Sequence, residues 1–509
     1  MISLSALQKI VAVVCGLLIM SSCTTGSEAE PPAATDAPTV TQPVPDALSE
    51  FYTQQIAWRD CDSFECASIE VPLDYAHPSG DTIELAIIRR RANDRANRVG
   101  SLLINPGGPG VSGIGYAQNS EYAFNEPILD RYDIVGWDPR GVGASSAVEC
   151  MSDQDTDEYL AADGTPDSPA EVQRILELQR AFTRGCERNS RGLLSHVGTM
   201  DSARDIDIIR EVLGEGRTDY FGASYGTELG ATYADLFPER VGRMVLDGAL
   251  DPSVSSQQLA VGQLRGFQRA VSAFIDDCIT REGCPIGPTA ADAEQQVIDL
   301  LWQADTLPLT TNSDRVLTEA LATTGVIAAM YDQASGWPAL RIGLDRALQG
   351  DGTVLLALAD SYSERNPDGT YASNINDAFP TISCTDRPET STVAQIRKTI
   401  PRLQRISPIF GRGFAWAASS CSGWPVADGE FPRKLMAIGS APILVVGTTR
   451  DPATPYEWSV GLAKQLDAGV LLSRNGDGHT AYNAGNSCID NFIEEYLIDG
   501  VVPPPRTLC

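Results

Sequence analysis

Histidine is almost absent from this sequence. The chain of 509 residues contains three histidines, His77, His196 and His479. It also has no C-x-x-C pair and no H-E-x-x-H motif, spacings that zinc sites commonly use. This scarcity argues against a metal centre, and we expect neither a metal nor another cofactor. It also limits the candidates for a histidine general base to three.

Basic residues are few relative to acidic ones. The chain has 38 Lys and Arg against 67 Asp and Glu, a formal net charge of -29. A protein with this charge repels nucleic acids and anionic lipid surfaces, so we expect neither as a partner. The simplest role of the acidic surplus is to keep an exported protein soluble.

The apolar run near the start of the chain, residues 10–20, is too short to span a bilayer comfortably. Lys9 precedes it and small residues lead from it to Cys23. This order predicts a lipoprotein signal over residues 1–22, because it resembles a bacterial lipobox, in which the cysteine is acylated. Ordinary signal cleavage and an uncleaved anchor are the alternatives. The membrane would then be a partner only through this lipid.

Residues 23–50 are rich in Pro, Thr and Ala and lack apolar periodicity. They predict a flexible tether between the membrane and the rest of the chain. We therefore expect an exported protein, held at the cell membrane or in the cell envelope and partly secreted.

The cysteines agree with export to an oxidising compartment. The chain has 12 cysteines, and setting aside Cys15 and Cys23 leaves an even number, as disulfides require. Sequence alone does not fix the connectivity. The order along the chain favours five local pairs: Cys61–Cys66, Cys150–Cys186, Cys278–Cys284, Cys384–Cys421 and Cys488–Cys509.

Strand and helix patterns alternate between residues 82 and 251. The predicted strands cover residues 82–91, 101–105, 132–138, 219–224 and 241–252. Between them, residues 201–214 place apolar side chains on one helical face. Such alternation predicts a mostly parallel sheet covered on both faces. Strand patterns are lacking from about residue 252 to 431, and two more, 442–451 and 469–475, complete the sheet.

The stretch FGASYGTELG, residues 221–230, places Ser224 between two glycines. On its own, G-x-S-x-G is weak evidence, since the chain has 45 glycines. A strand precedes this motif and a helical pattern follows it, which is typical of the nucleophile elbow of α/β-hydrolases. We therefore predict that Ser224 is a catalytic nucleophile. A serine hydroxyl needs a base to take its proton.

His479 is the predicted base. It follows the last predicted strand, where a loop can reach back to Ser224, whereas we expect structural roles for His77 and His196. Asp451 ends the preceding strand, and the chain order of Ser, Asp and His fits this fold.

The acid that orients the imidazole has rivals. Asp247 and Asp251 end an earlier strand pattern, and Asp477 lies only two residues from His479. We favour Asp451 because open α/β sheets place functional residues at the carboxyl ends of strands.

An oxyanion hole requires two convergent N–H donors. The backbone of Tyr225, directly after the nucleophile, is one predicted donor. The loop NPGGPG, residues 105–110, offers Gly107, Gly108 or Gly110 as the other, because its prolines cannot donate. We choose Gly108, in the middle of the turn.

Several longer motifs resemble one known family. The motifs that carry this resemblance are NPGGPG, GWDPRGVGAS, GASYGTELGATYADLFPERVGRMVLDGALDP, TISCTDRP, DPATPY, GDGHTAY and SCID. Through them the chain is similar to the actinobacterial tripeptidyl-aminopeptidase-like serine hydrolases, relatives of prolyl aminopeptidase. The resemblance covers residues 56–509. Within the family, the chain especially resembles the mycobacterial cell-envelope members.

The resemblance implies an α/β-hydrolase core with a helical lid between core strands six and seven, and a triad of Ser224, Asp451 and His479. We accordingly expect core segments over 51–252 and 436–509, with the lid over 253–435. Two positions depart from the family. Glu228 stands where another residue is common, and Asn105 stands where prolyl-aminopeptidase relatives carry histidine, which leaves substrate preference open.

The expected function is that of an exported serine peptidase that removes short peptides, tripeptides first, from the free N-termini of peptides or proteins. A carboxylesterase with the same triad is the alternative. A non-catalytic surface lipoprotein is a third, against which the intact triad argues. Epoxide hydrolases and dehalogenases are disfavoured, because they use aspartate where Ser224 stands.

An aminopeptidase must also bind the α-ammonium group of its substrate, and a buried cation needs an anion. We predict Asp386, in TISCTDRP, as this anion. The proposed disulfide at Cys384 would hold its segment rigid. Glu228, one helical turn after Ser224, is the rival.

Overall fold

A computed structural model describes residues 46–426 and 429–509. The predicted signal, Cys23 and most of the predicted tether lie outside these residues. The described residues all belong to one compact unit, Gln42–Cys509.

One sheet organises the described part of the chain. Its ten strands have the order β1-β2-β3-β5-β4-β6-β7-β8-β9-β10. The strands are β1 (Arg59–Cys61), β2 (Phe64–Pro72), β3 (Thr82–Arg90), β4 (Gly100–Asn105), β5 (Tyr132–Trp137), β6 (Thr218–Ala223), β7 (Val241–Asp247), β8 (Ile443–Arg450), β9 (Gly469–Asp477) and β10 (Thr507–Leu508).

The central strands β5, β4, β6, β7, β8 and β9 are parallel, and β10 continues them at one edge. At the other edge β1, β2 and β3 are antiparallel. The mostly parallel sheet is therefore confirmed. The antiparallel strands β1 and β2 were not predicted, although Ala67, Ile69 and Val71 alternate with more exposed residues along β2.

Helices cover both faces of the sheet. Leu103 packs into the core on one face, and its neighbours Leu102 and Ile104 pack into the core on the other. This two-sided burial explains why the inner strands are uniformly apolar. The helices outside the β7–β8 connection are α1 (Ser49–Thr53), α2 (Gly113–Gln118), α3 (Ser120–Ala123), α4 (Glu126–Arg131), α5 (Asp153–Ala161), α6 (Pro169–Ser190), α7 (Thr199–Val212) and α8 (Tyr225–Leu236) before it, with α17 (Tyr456–Gln465) and α18 (Ser487–Asp499) after it.

The chain between β7 and β8, which we call the helical insertion, forms a second hydrophobic core. Leu264, Phe274, Leu344 and Leu355 lie within this core. The helices of the insertion fall inside the segment 253–435 that the sequence predicts as a lid. Its helices are α9 (Ser256–Ile279), α10 (Ala290–Thr306), α11 (Glu319–Met330), α12 (Gly336–Leu348), α13 (Thr353–Tyr362), α14 (Ile375–Asp386), α15 (Val393–Ile406) and α16 (Gly411–Ala417).

The folded unit begins earlier than expected. Residues 46–50, predicted as tether, are helical. The helix α1 continues through Phe51 and Tyr52, which are buried, and the Tyr52 hydroxyl donates to Asp207 at 2.6 Å. Burial of these two rings anchors the segment, which the polar composition before it does not reveal.

Residues 46–426 and 429–509 contain five disulfides, with the pairs favoured by cysteine order. Cys384–Cys421 ties α14 to the chain after α16. None of the helices in the described residues is long and apolar enough to cross a bilayer.

Candidate active site

Ser224 occupies a sharp turn between β6 and α8. Its φ is 56°, a value that residues with a side chain rarely adopt. A Cβ on Gly222 would lie 2.4 Å from the Gly226 carbonyl oxygen, and one on Gly226 would lie 2.6 Å from that of Asn105. Both glycines are therefore required for the close approach of backbone in this turn. Strand, strained serine and helix together form the elbow geometry of α/β-hydrolases.

The sheet register brings the ends of several strands to the same edge. Ala223 of β6 pairs with Asp247 of β7, and Asp247 pairs with Val446 of β8. The Ser224 N–H donates to the Asp247 carbonyl at 2.9 Å. A Cβ on the next residue, Gly248, would lie 3.2 Å from Cε1 of His479. The carboxyl end of β7 thus lies between the serine turn and the histidine loop.

Asp451 and His479 are joined directly. Nδ1 of His479 lies 2.9 Å from both carboxylate oxygens of Asp451. A carboxylate only accepts, so Nδ1 carries the proton of this contact. Asp451 is 1% exposed, and the backbone N–H groups of Ala453, Thr454 and Thr480 also donate to it. These donors fix the carboxylate in place.

The second ring nitrogen of His479 is free. Nε2 is buried and has no hydrogen-bond partner among the described residues, so it is not bonded to Ser224. Catalytic hydrogen bonds often tighten only once substrate is bound. Burial lowers the pKa of His479, but the charge and hydrogen bond of Asp451, together with the charge of Asp247, outweigh it, so the pKa lies above its usual 6.5.

The rival acids have other partners. Oδ2 of Asp247 accepts the N–H groups of Ala481 and Tyr482, at 3.0 and 2.9 Å, and so supports the loop that carries His479. Burial raises the pKa of Asp247 to about 6. Of the four candidate acids, the structure places Asp451 against Nδ1.

The remaining two rivals lie in other contacts. Asp251 accepts from the side chains of Gln465 and Ser253. Asp477 forms an ion pair with Arg450 at 2.7 Å.

The predicted oxyanion loop packs against the elbow. A Cβ on Gly107 would lie 2.9 Å from Cβ of Ser224 and 3.0 Å from the Tyr225 nitrogen. The Gly107 N–H already donates to Oδ1 of Asn105 at 3.0 Å. By contrast, no described residue accepts the N–H of Gly108 or of Tyr225.

The two predicted ammonium ligands are buried and already have partners. Asp386 accepts the N–H of Thr199 at 2.8 Å and the Thr199 hydroxyl at 2.6 Å. Glu228 accepts from the Arg387 guanidinium at 2.8 Å. Burial raises the pKa of Asp386 to about 7 and also raises that of Glu228, although Arg387 opposes the second shift.

The other histidines lie in other contacts. His77 is exposed and bonds to Asp74 at 2.7 Å. His196 lies 3.7 Å from Asp201.

Tyr331, just after α11, is a site residue that the sequence did not reveal. Its carbonyl accepts the His479 N–H at 2.8 Å. Its ring stands edge to face with the imidazole, with centroids 5.3 Å apart. A single tyrosine after a helix, far from His479 in sequence, carries no signal of this contact.

Similarity to known proteins agrees with this geometry. The family model for the α/β hydrolase fold matches residues 100–345, and the model for TAP-like proteins matches residues 407–509. Serine protease Hip1 of Mycobacterium tuberculosis is 37% identical over 90% of this chain and 91% of its own length. Carboxylesterase B of the same species is 36% identical over 89% of this chain and 90% of its own length.

A third relative is the tripeptidyl aminopeptidase of Streptomyces coelicolor, which is 32% identical over 89% of this chain and 86% of its own length. The two family models together include Ser224, Asp451 and His479. The chain therefore belongs to the TAP-like family of α/β-hydrolases.

Proposed function

We propose that the protein is a serine peptidase that releases short peptides, mainly tripeptides, from free N-termini. The observation that carries this proposal is the imidazole of His479, whose Nδ1 is held by Asp451 while its Nε2 has no hydrogen-bond partner in the part of the chain that the structure describes. This is the state in which a histidine can take a proton from a serine. The names of two relatives, a serine protease and a tripeptidyl aminopeptidase, support the peptidase assignment.

In the acylation step, Oγ of Ser224 attacks the scissile carbonyl and its proton passes to Nε2 of His479. Asp451 stabilises the imidazolium that results. The negative charge that develops on the carbonyl oxygen is stabilised by the N–H groups of Gly108 and Tyr225. The imidazolium then protonates the departing amine, which leaves the N-terminal fragment as an ester on Ser224.

In the deacylation step, His479 takes a proton from water and the hydroxide attacks the ester carbonyl. The same two N–H groups stabilise the second tetrahedral intermediate. His479 returns the proton to Oγ of Ser224, and the short peptide leaves as a carboxylate.

Selectivity for free N-termini requires more than these residues. We expect the helical insertion to act as the lid that limits substrate length, since Tyr331 places it against His479. The predicted role of Asp386 or Glu228 as ammonium ligand remains a prediction. A substrate ammonium would have to compete with Thr199 or Arg387 for these carboxylates.

A carboxylesterase with the same chemistry is the second candidate. The similarity to Carboxylesterase B favours it, and the acylation step is the same for an ester. The proposed peptidase differs in requiring a free amine on the substrate.

We further propose that the protein is exported and anchored by a diacylglycerol on Cys23. The apolar run before Cys23 and the five disulfides support export. Mass spectrometry of the mature N-terminal peptide tests this: the lipid mass on Cys23 is expected, and a mature chain starting elsewhere contradicts it.

Three matched substrates test the peptidase assignment: a tripeptide anilide with a free amine, the same compound N-acetylated, and a small aryl ester. We expect rapid cleavage of the first and a loss of at least about 100-fold on acetylation, the scale of an unpaired buried charge. Rapid hydrolysis of the ester with no cleavage of either peptide would favour the esterase.

A further inference from the structure

A chain of three buried side chains connects the helical insertion to the elbow. Asp386 ends α14, Thr199 begins α7, and Tyr225 follows the nucleophile. The Thr199 hydroxyl lies 2.6 Å from Oδ2 of Asp386 and 2.6 Å from the Tyr225 hydroxyl. We call these three residues the Asp386 relay. None of its members is more than 5% exposed.

The number of protons sets the direction of the relay. An ionised Asp386 can only accept, so the single hydroxyl proton of Thr199 points to Oδ2. The Thr199 oxygen then accepts from the Tyr225 hydroxyl. Each hydroxyl proton in the relay therefore has one acceptor, and the Thr199 N–H occupies the other oxygen of Asp386 at 2.8 Å.

The surroundings hold Asp386 firmly. The disulfide Cys384–Cys421 fixes α14 two residues before it. A Cβ on Gly198 would lie 2.9 Å from Oδ1 of Asp386, so the chain before Thr199 passes close to the carboxylate. The relay thus ties the side chain of Tyr225 to a rigid part of the helical insertion.

We propose that Asp386 is a positioning residue that fixes the oxyanion-binding N–H of Tyr225 through Thr199. This inference rests on the proposed function, since it assigns that N–H to the oxyanion. Tyr225 follows a residue with a strained φ of 56° and begins α8. The relay holds the hydroxyl end of its ring, and the ring and the N–H are joined through one Cα, so the held ring limits the direction of the N–H. An anchored ring restrains this direction before substrate arrives, as electrostatic preorganisation requires.

The relay responds to an amide in a specific way. In Asp386→Asn, the amide oxygen is needed to accept the Thr199 N–H, so the amide nitrogen faces the Thr199 hydroxyl and donates to it. The Thr199 proton then turns to the Tyr225 hydroxyl, whose own proton loses its acceptor. Asn therefore preserves shape and reverses the relay.

The test compares Asp386→Asn, Thr199→Val and Tyr225→Phe on the aryl ester and the free-amine tripeptide anilide. We expect kcat to fall by about 10- to 100-fold on both substrates, below the full loss of an oxyanion donor. KM should stay within about twofold, because only transition-state stabilisation is removed. Affinity for a peptide aldehyde, which forms an oxyanion on Ser224, should fall by the same factor as kcat.

Two variants serve as controls. Thr199→Ser keeps the relay hydroxyl and should restore most of the activity lost in Thr199→Val. Thr385→Val removes a buried hydroxyl on α14, the helix that ends at Asp386. This hydroxyl donates to the Leu194 carbonyl at 2.9 Å. It should lower the unfolding temperature while leaving kcat unchanged.

Four outcomes would overturn the inference. A loss of activity confined to the free-amine substrate, with a raised KM, would make Asp386 an ammonium ligand, and an equal loss in Thr385→Val would make the effect one of stability. The other two are no loss of kcat on either substrate and no recovery of activity in Thr199→Ser. A wild-type protein that fails to react with a fluorophosphonate would instead refute the proposed function itself. Labelling of Ser224 in every relay variant keeps the two failures distinct.

Discussion

The backbone N–H of His479 donates to the carbonyl of Tyr331 at 2.8 Å, and the two rings meet edge to face. The proposed base is therefore held by the helical insertion on one side and by Asp451 on the other. The helical insertion, which we propose as the lid that limits substrate length, therefore also contacts the proposed base.

This contact predicts a moderate effect of Tyr331→Ala. An edge-to-face pair contributes about 0.5–1.5 kcal/mol beyond its buried area, so kcat/KM should fall by about 2- to 10-fold on the aryl ester. Tyr331→Phe keeps the ring and loses only the hydroxyl contact to Tyr362. It should stay close to wild type, and a loss equal to that of alanine would show that the hydroxyl matters instead.

Ser224→Ala should abolish turnover and fluorophosphonate labelling. His479→Ala should lower turnover by a similar factor, about 10⁴-fold or more, because members of a triad act as a unit. Circular dichroism and the unfolding temperature check that both variants fold. Unchanged turnover in the serine variant would remove Ser224 from the mechanism.

Asp451→Asn should lower kcat by about 10³- to 10⁴-fold, because the amide no longer holds the tautomer with a proton on Nδ1. Asp251→Asn is the matched control, since its carboxylate also accepts side-chain hydrogen bonds but lies on Gln465 and Ser253. The assignment of Asp451 fails if the control loses as much activity as the variant does.

The Asp386 relay predicts how the effect of Asp386→Asn depends on pH. The pKa of Asp386 is raised to about 7, mainly by burial and further by the charge of Glu228. The hydrogen bonds from Thr199 and the charge of Arg387 oppose this rise. Tyr225 also faces Asp386 through Thr199. Protonated Asp386 donates to Thr199 as the amide does, so acid reverses the wild-type relay too.

The ratio of wild-type to Asp386→Asn kcat on the aryl ester should therefore be largest above about pH 8 and shrink toward one below about pH 6. Taking the ratio removes the titration of His479, which both proteins share. A ratio that stays constant between about pH 6 and pH 8 would show that protonation of Asp386 does not reverse the relay.

Glu319 of the helical insertion makes a prediction about stability. Burial, with the nearby charge of Asp163, raises its pKa to about 7. The folded state then binds a proton that the unfolded state releases above its ordinary pKa. The stability from this proton is complete below about pH 4.5 and is lost as pH rises to about 7.

Glu319→Gln should remove this dependence. Its free energy of unfolding in urea should match the wild type at pH 4 and exceed it by roughly 3–4 kcal/mol at pH 8, because the pKa rises from 4.5 to about 7 and each unit corresponds to about 1.4 kcal/mol. An equal difference at both pH values would mean that Glu319 does not titrate in this range.

The sequence predicted the parts of the site that depend on local pattern. Ser224 lies between two glycines at a strand–helix junction, and the geometry there needs both glycines, so the motif and the strain have one cause. Asp451 and His479 each follow a strand, and parallel strands bring their ends to one edge.

Other features depend on contacts between distant segments and left no local pattern. Tyr331, within the β7–β8 connection, contacts His479 far away in the sequence. Thr199 lies between Asp386 and Tyr225 and is hydrogen-bonded to both. The sequence singled out Asp386 as an anion without revealing that a threonine hydroxyl already occupies it. The helical residues 46–50 were missed because none of them is buried and the burial comes from Phe51 and Tyr52, later in the helix α1.

The disulfide between Cys384 and Cys421 has a consequence for how this protein would diverge among relatives. It fixes the segment that holds Asp386, and Asp386 contacts Thr199 of the sheet-covering helix α7. An exchange of the insertion between two family members would import a new carboxylate position while keeping the recipient's threonine and tyrosine. Chimaeras should consequently inherit turnover rate together with substrate range, and substitutions at positions 199, 225 and 386 should be accepted as a set.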